Sequence, residues 1–128
     1  MSKELGTMIV LTTGKQDRGT RATLAFSWGC AALAMGQNVA VYLTMDGTVW
    51  ATRGAAEKVT VAGFEALDTY IDQFLALGGE VLVCAPCSEY YCSYTPTADD
   101  KKLLEEAQLV GLATIVSRTG ASTKVITF

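Results

Sequence analysis

The chain predicts a three-layer α/β/α sandwich on a mostly parallel five-stranded sheet. Three observations carry that expectation. Short apolar, β-branched runs alternate with stretches whose apolar residues recur every three or four positions, in the order β-α-β-(α)-α-β-α-β-β. The helical stretches stop at glycines, at Gly36, Gly78-Gly79 and Gly111. The 128 residues are half hydrophobic, enough for one core, so 1–128 read as a single domain.

The elements follow in order. Met8 to Thr12 is a short apolar run and the first strand; Thr13 to Gly19 is a polar loop with two glycines. Thr20 to Met35 is helical, with Ala22, Ala25, Phe26, Gly29 and Leu33 on one face. That face is small enough to pack close to a sheet. Asn38 to Thr44 is the second strand, broken by the turn signal Met45-Asp46-Gly47. Residues 48–62 fit no single pattern. A second amphipathic helix spans Phe64 to Leu77, with Phe64, Leu67, Ile71, Phe74 and Leu75 on one side. Glu80 to Val83 has the character of a buried strand, and Cys84 ends it. Pro96 and the run Thr97-Ala98-Asp99-Asp100 resemble the entry and capping box of a helix that reaches Val110, burying Leu103, Leu104, Ala107 and Val110. Gly111 closes it. Ala113 to Val116 and Lys124 to Phe128 are the last strands, either side of the turn Gly120-Ala121-Ser122.

Composition excludes several classes of function. Net charge is −3, with no cluster of Lys or Arg, so no nucleic-acid partner is expected. No stretch reaches the roughly 18 apolar residues of a membrane span, so no membrane partner is expected either. Met1 to Thr7 is polar and lacks the apolar core of a signal peptide, so the protein reads as cytoplasmic. Thiols stay reduced in that compartment, which favours chemical over cross-linking roles for cysteines. Charged residues make up 18%, below the roughly 25% of an average domain, and this hints at subunit contacts. Histidine is absent, which removes the usual neutral-pH base, the Cys-His mechanisms and every His-containing metal site.

The chemistry therefore rests on sulfur. Cys84, Cys87 and Cys92 lie within nine residues at the end of an apolar strand. In open α/β sheets the carboxyl edge is where ligands collect. A short helix after Pro86 would aim free backbone N–H groups at Cys84 and stabilise a thiolate or persulfide anion. Cysteines also fill apolar space, and that assignment competes most strongly for Cys92. Cys84-Ala-Pro-Cys87 has the spacing of thiol–disulfide oxidoreductases. The remaining cysteine, Cys30, stands alone in the first helix, so no four-sulfur metal site is expected. Gly14 to Arg21 begins like a phosphate loop but has Thr20 and Arg21 where Lys and Ser/Thr belong. Lys15 and Arg18 there lie at the same sheet edge as Cys84 and are candidates to favour its anion. Asp46 faces the same crevice or is an ordinary turn residue. Trp50, Tyr90, Tyr91 and Tyr94 are pocket walls or subunit contacts.

With these residues in view, the chain resembles the DsrE/DsrF-like family of small sulfur-transfer proteins over nearly its whole length. The resemblance lies in the strand Val81-Leu82-Val83-Cys84 followed by Cys87, and in Val41-Tyr42-Leu43-Thr44 leading into Met45-Asp46-Gly47. It implies a cytoplasmic sulfurtransferase or sulfur relay protein with the sulfur-carrying cysteine at Cys84 and no cofactor. It implies a protein thiol as donor or acceptor, either a TusA-like carrier or another DsrE-like subunit, and a homo-oligomer, trimer or hexamer. Some members carry a single cysteine, so Cys87 is left open as a partner, a resolving thiol or an alternative carrier. A redox protein cycling Cys84 and Cys87, and a non-catalytic oligomeric binding subunit, are the competing functions.

Overall fold

The computed structural model describes residues 4–92 and 103–128, with side chains for all of them except 89–92. Five strands form one sheet: β1 (Thr7–Leu11), β2 (Val39–Leu43), β3 (Glu80–Cys84), β4 (Ala107–Val110) and β5 (Lys124–Thr127). Among the described residues four α-helices accompany them: α1 (Thr20–Ala34), α2 (Leu67–Ala76), α3 (Ala85–Cys92) and α4 (Leu112–Arg118). The strand order is β4-β3-β2-β1-β5 and every pair is parallel. All five carboxyl ends therefore lie on one rim.

The strands alternate their side chains between two apolar layers, which is why they read as continuous apolar runs. Ile9, Leu11, Val41, Leu43, Val81 and Val83 face α1 and α2, meeting Phe26, Leu67, Ile71 and Phe74. Met8, Ala40, Tyr42, Leu82 and Cys84 face the opposite side, where Cys87 of α3 and Ile115 of α4 cover them. The result is the three-layer sandwich expected.

Small residues on α1 serve the close approach they suggest. Phe74 of α2 lies edge-on to Phe26, ring centres 5.5 Å apart. A Cβ added at Gly29 would come within 2.7 Å of Phe74, and one at Gly79 within 2.5 Å. Two glycines thus leave the room that one phenyl ring fills. On the far layer, the Arg118 guanidinium at the end of α4 binds the Glu80 carboxylate at the start of β3 through two hydrogen bonds, one of 3.2 Å. That pair holds α4 across the sheet.

Two expectations between residues 103 and 118 are corrected. The anticipated helix does not run to Val110: Ala107–Val110 is strand β4, paired with β3 from Val81↔Ala107 to Cys84↔Val110. Leu103 forms an antiparallel bridge with Thr52, and the Leu104 N–H donates to the Ala51 carbonyl at 2.7 Å. Pro96 and the anticipated capping box lie outside the described residues. The anticipated strand at Ala113–Val116 belongs to helix α4. Gly111 precedes that helix in extended backbone (φ −96°) instead of closing an earlier one. The physical reason is topological. β3 offers a ladder edge that residues 107–110 satisfy, whatever their helical spacing. The chain must then travel from β4 at one edge to β5 at the other, and a crossover between parallel strands is made by a helix over the sheet face.

The glycine–phenylalanine packing gives a direct test. Gly79→Ala is expected to cost about 1–3 kcal/mol of stability through overpacking. Phe74→Leu in the same chain should recover part of that loss, a non-additivity readable in a urea-unfolding double-mutant cycle. Strict additivity would mean that ring and glycine do not share the space.

Candidate functional site

Cys84 is the last residue of β3, and α3 begins at the next position. It therefore stands where a capping residue stands. The following residues, Ala85, Pro86 and Cys87, form the first turn. Pro86 has no N–H to leave unsatisfied there and its fixed φ suits the position. The donor left within reach of the capping side chain is the Cys87 N–H, and it hydrogen-bonds the Cys84 sulfur. A sulfur thus takes the place usually held by a serine or aspartate oxygen.

The neighbouring strand completes the site. Register Tyr42↔Leu82 puts Tyr42 and, two residues on, Thr44 on the same face as Cys84. The Tyr42 hydroxyl, the Thr44 hydroxyl and the Cys87 thiol all hydrogen-bond the Cys84 sulfur. Thr44 Oγ1 also lies 3.4 Å from Cys87 Sγ. Four polar side chains, Tyr42 in β2, Thr44 just after it, Cys84 at the end of β3 and Cys87 in α3, therefore form one connected cluster at the sheet rim.

Its electrostatics follow from that geometry. Cys84 is 7% exposed. Burial pushes its thiol up, and the donors from Cys87, Tyr42 and Thr44 together outweigh burial and hold it below the ordinary thiol value. The balance is reasonable, since each hydrogen bond to a charged group contributes about 1.5–3 kcal/mol. Tyr42 moves the opposite way. Burial first, then the hydrogen bond to Cys84, push its phenol up to about 12. The phenol accordingly keeps its proton and remains a donor across the pH range in which the sulfur ionises.

The other residues singled out by the sequence fall into two places. Gly14, Lys15, Gln16, Asp46 and Val49 line a shallow cavity of about 270 Å³. There the Gln16 side chain donates to Asp46, and the Lys15 ammonium sits 6.0 Å from the centre of the Trp50 ring. Arg18 is exposed, in left-handed backbone at φ 62°. The groups that lower the Cys84 thiol are neutral donors on β2 and α3, and Lys15 and Arg18 are not among them. Asp17 accounts for the phosphate-loop appearance: its carboxylate accepts from the N–H of Gly19 (3.1 Å) and of Arg21 (2.9 Å), donors a phosphate would need. Trp50 is buried, with its indole N–H donating to the Thr13 carbonyl. Cys30 lies in the opposite layer, donates to the Tyr70 carbonyl at 3.4 Å, and has its thiol pushed up by burial. The side chains of Cys92, Tyr90, Tyr91 and Tyr94 are outside those described. Among the described residues no three His, Cys, Asp or Glu side chains gather as a metal site.

Gly47 explains why the second strand ends in an Asp-Gly pair. Its N–H reaches the carbonyls of Thr12 (3.2 Å) and Thr44 (3.0 Å). A Cβ there would lie 2.1 Å from the Leu11 carbonyl oxygen. The loop after β2 is therefore clasped to the end of β1, and that clasp fixes Thr44 next to the sulfurs. The sequence reasoning missed Tyr42 and Thr44. The available signal was two hydroxyls at alternate positions ending an otherwise apolar strand, a pattern that demands buried partners on one face.

The model of the DsrE/DsrF-like family matches residues 7–128. The ychN protein from E. coli has a similar solved structure, with TM-score 0.71 and 17% identity over 100% of both chains. A conserved protein of unknown function, BT1422 from Bacteroides thetaiotaomicron, aligns with TM-score 0.62 and 10% identity over 96% of this chain and 95% of that one. At these identities the two structures show a shared fold. No curated protein matches the chain.

The donor cluster makes the reactivity of Cys84 depend on Tyr42. Removing a donor to the thiolate raises its pKa, so Tyr42→Phe should move the midpoint of the alkylation-rate profile to higher pH. Iodoacetamide labelling of Cys84 near neutral pH should then slow severalfold, as peptide mapping would show. A Lys15→Ala/Arg18→Ala chain should keep the parent midpoint; an equal slowing in both variants would contradict neutral-donor control. In an absorbance titration, a tyrosine ionising at about 12 should disappear in Tyr42→Phe.

Proposed function

The chain belongs to the DsrE/DsrF-like family, and we propose that it is a sulfur-relay protein whose Cys84 carries sulfane sulfur as a persulfide. One observation carries the reading: the capping sulfur of Cys84 receives hydrogen bonds from Tyr42, Thr44 and both the thiol and the N–H of Cys87. A sulfur so held forms its thiolate more readily than an ordinary thiol, and the thiolate is the nucleophile. In the first step it attacks the terminal sulfur of a donor persulfide and expels the donor thiolate. In the second, an acceptor thiolate attacks the terminal sulfur on Cys84 and expels the Cys84 thiolate. Both steps follow thiol–disulfide exchange, in which a leaving thiol of lower pKa leaves faster. The same donors that ionise Cys84 therefore ease its departure.

The donor and acceptor are protein thiols, on a TusA-like carrier or another DsrE-like subunit. Lys15, Arg18 and Asp46, on the loops that follow β1 and β2, are assigned to the rim that such a partner meets. Exposed Trp28 on α1 and Met35 just past its end border an apolar groove of about 390 Å³ that reaches Ile126 on β5, which supports the expected subunit contact between copies. Reduced thiols suit the cytoplasm. Among the described residues no helix is long and apolar enough to cross a membrane.

Incubation with inorganic polysulfide, removal of excess reagent and intact-mass measurement tests the carrier. The chain is expected to gain about 32 Da, and Cys84→Ser to gain none while Cys30→Ser behaves as the parent. An adduct of equal yield in Cys84→Ser would assign the sulfur elsewhere.

A further inference from the structure

A carrier of sulfane sulfur needs one thiol, whereas this site holds two in mutual hydrogen-bond contact. We propose that a persulfide on Cys84 discharges within the chain: Cys87 attacks Cys84 Sγ, and the terminal sulfur leaves as hydrosulfide. The inference rests on the persulfide reading above and adds an activity to it, the release of sulfide.

Three observations support the step. Cys84 caps α3 and Cys87 is the third residue of its first turn. Helix geometry puts Cα atoms three positions apart at about 5 Å. A disulfide accepts Cα separations of about 4.4–6.8 Å, so the pair closes without unwinding α3. The Cys87 thiol already hydrogen-bonds the sulfur it would attack. Thr44 touches both thiols, at 3.4 Å from Cys87 Sγ and by a hydrogen bond to Cys84. Its hydroxyl offers a path for the proton that Cys87 must give up. The other cysteine with a described side chain, Cys30, faces the opposite layer and is removed from this chemistry.

The step balances. The bond between Cys84 Sγ and the terminal sulfur breaks, and its electron pair leaves with the terminal sulfur, now reduced to sulfide. The Cys84–Cys87 bond forms, so the two cysteines together are oxidised by two electrons. The Cys87 proton passes to the departing hydrosulfide. A dithiol reductant then reopens the disulfide and returns both thiols. Transfer to a partner and internal discharge thus compete for one loaded state, and the partner's thiol must arrive before Cys87 closes.

The test loads the full chain with inorganic polysulfide, desalts it, and follows intact mass and released sulfide without added thiol. The parent should gain about 32 Da, then lose it as sulfide appears, ending about 2 Da below the reduced chain. Cys87→Ser should hold the adduct at least about tenfold longer, and Cys92→Ser should discharge like the parent. Discharge of Cys87→Ser at the parental rate, a parent that keeps its adduct while Cys87 stays a free thiol, or a block in Cys92→Ser in place of Cys87→Ser would each overturn the inference while leaving the carrier intact. Failure of both parent and Cys87→Ser to take up sulfur would overturn the carrier reading and the discharge with it. A second measurement needs no loading: diamide oxidation, thiol trapping and digestion should yield the Cys84–Cys87 cross-linked peptide. Its absence would overturn the discharge by itself.

Discussion

The bond from the Cys87 N–H to the Cys84 sulfur joins the fold to its chemistry. It makes one side chain serve as the end of a strand, the cap of a helix and the centre of a polar cluster. A helix start leaves backbone donors unsatisfied and carries partial positive charge. A thiolate placed there is stabilised by groups the fold must satisfy in any case. Other features of the site keep that geometry in register. Pro86 lies in the first turn of the helix, Tyr42 of β2 and Thr44 just beyond it supply two hydroxyls, and the Gly47 clasp locks the loop after β2 against the end of β1.

The site stabilises a buried anion with neutral donors instead of cations. Burial alone would keep Cys84 protonated, and the direction of its pKa shows that the hydrogen bonds prevail. The choice of donor has a consequence. A lysine beside the sulfur would be screened by salt and would bring a second charge to be desolvated. A phenol whose own proton is held up to about 12 donates without competing for ionisation. The negative charge therefore stays on the Cys84 sulfur and not on the phenol. Lys15 and Asp46 remain one loop away, around their own shallow cavity.

The two faces of the sheet divide the work. The α1 and α2 layer holds the larger core, with Phe74 set between Gly29 and Gly79. The other layer is covered through short helices, by Cys87 and Ile115, and it contains the cysteine pair. Ser88, in the first turns of α3, is buried with its hydroxyl unpartnered among the described residues. The helix carrying Cys87 is capped by Cys84. A sulfur that is loaded or bridged changes that cap, so the chemical state of the site and the anchoring of α3 are linked.

The sequence alone determined the strands β1 to β3, the helices α1 and α2, and the placing of Cys84 at a strand end. Each is encoded locally, by an unbroken apolar run, by three- and four-residue spacing or by a glycine stop. It also marked Cys87, because two cysteines three apart on either side of a proline have few conformations open to them. Residues 103–118 could not be read in the same way. Leu103, Leu104, Ala107 and Val110 have helical spacing, yet the free edge of β3 makes residues 107–110 a strand. Ile115 and Val116 are strand formers, yet the crossing from β4 to β5 makes them helix. Tyr42 and Thr44 likewise gained their role only when parallel register brought β2 beside β3. Hydrogen-bond partners distant in sequence decide such positions, because a ladder edge or a buried sulfur must be satisfied by whichever groups the topology delivers to it.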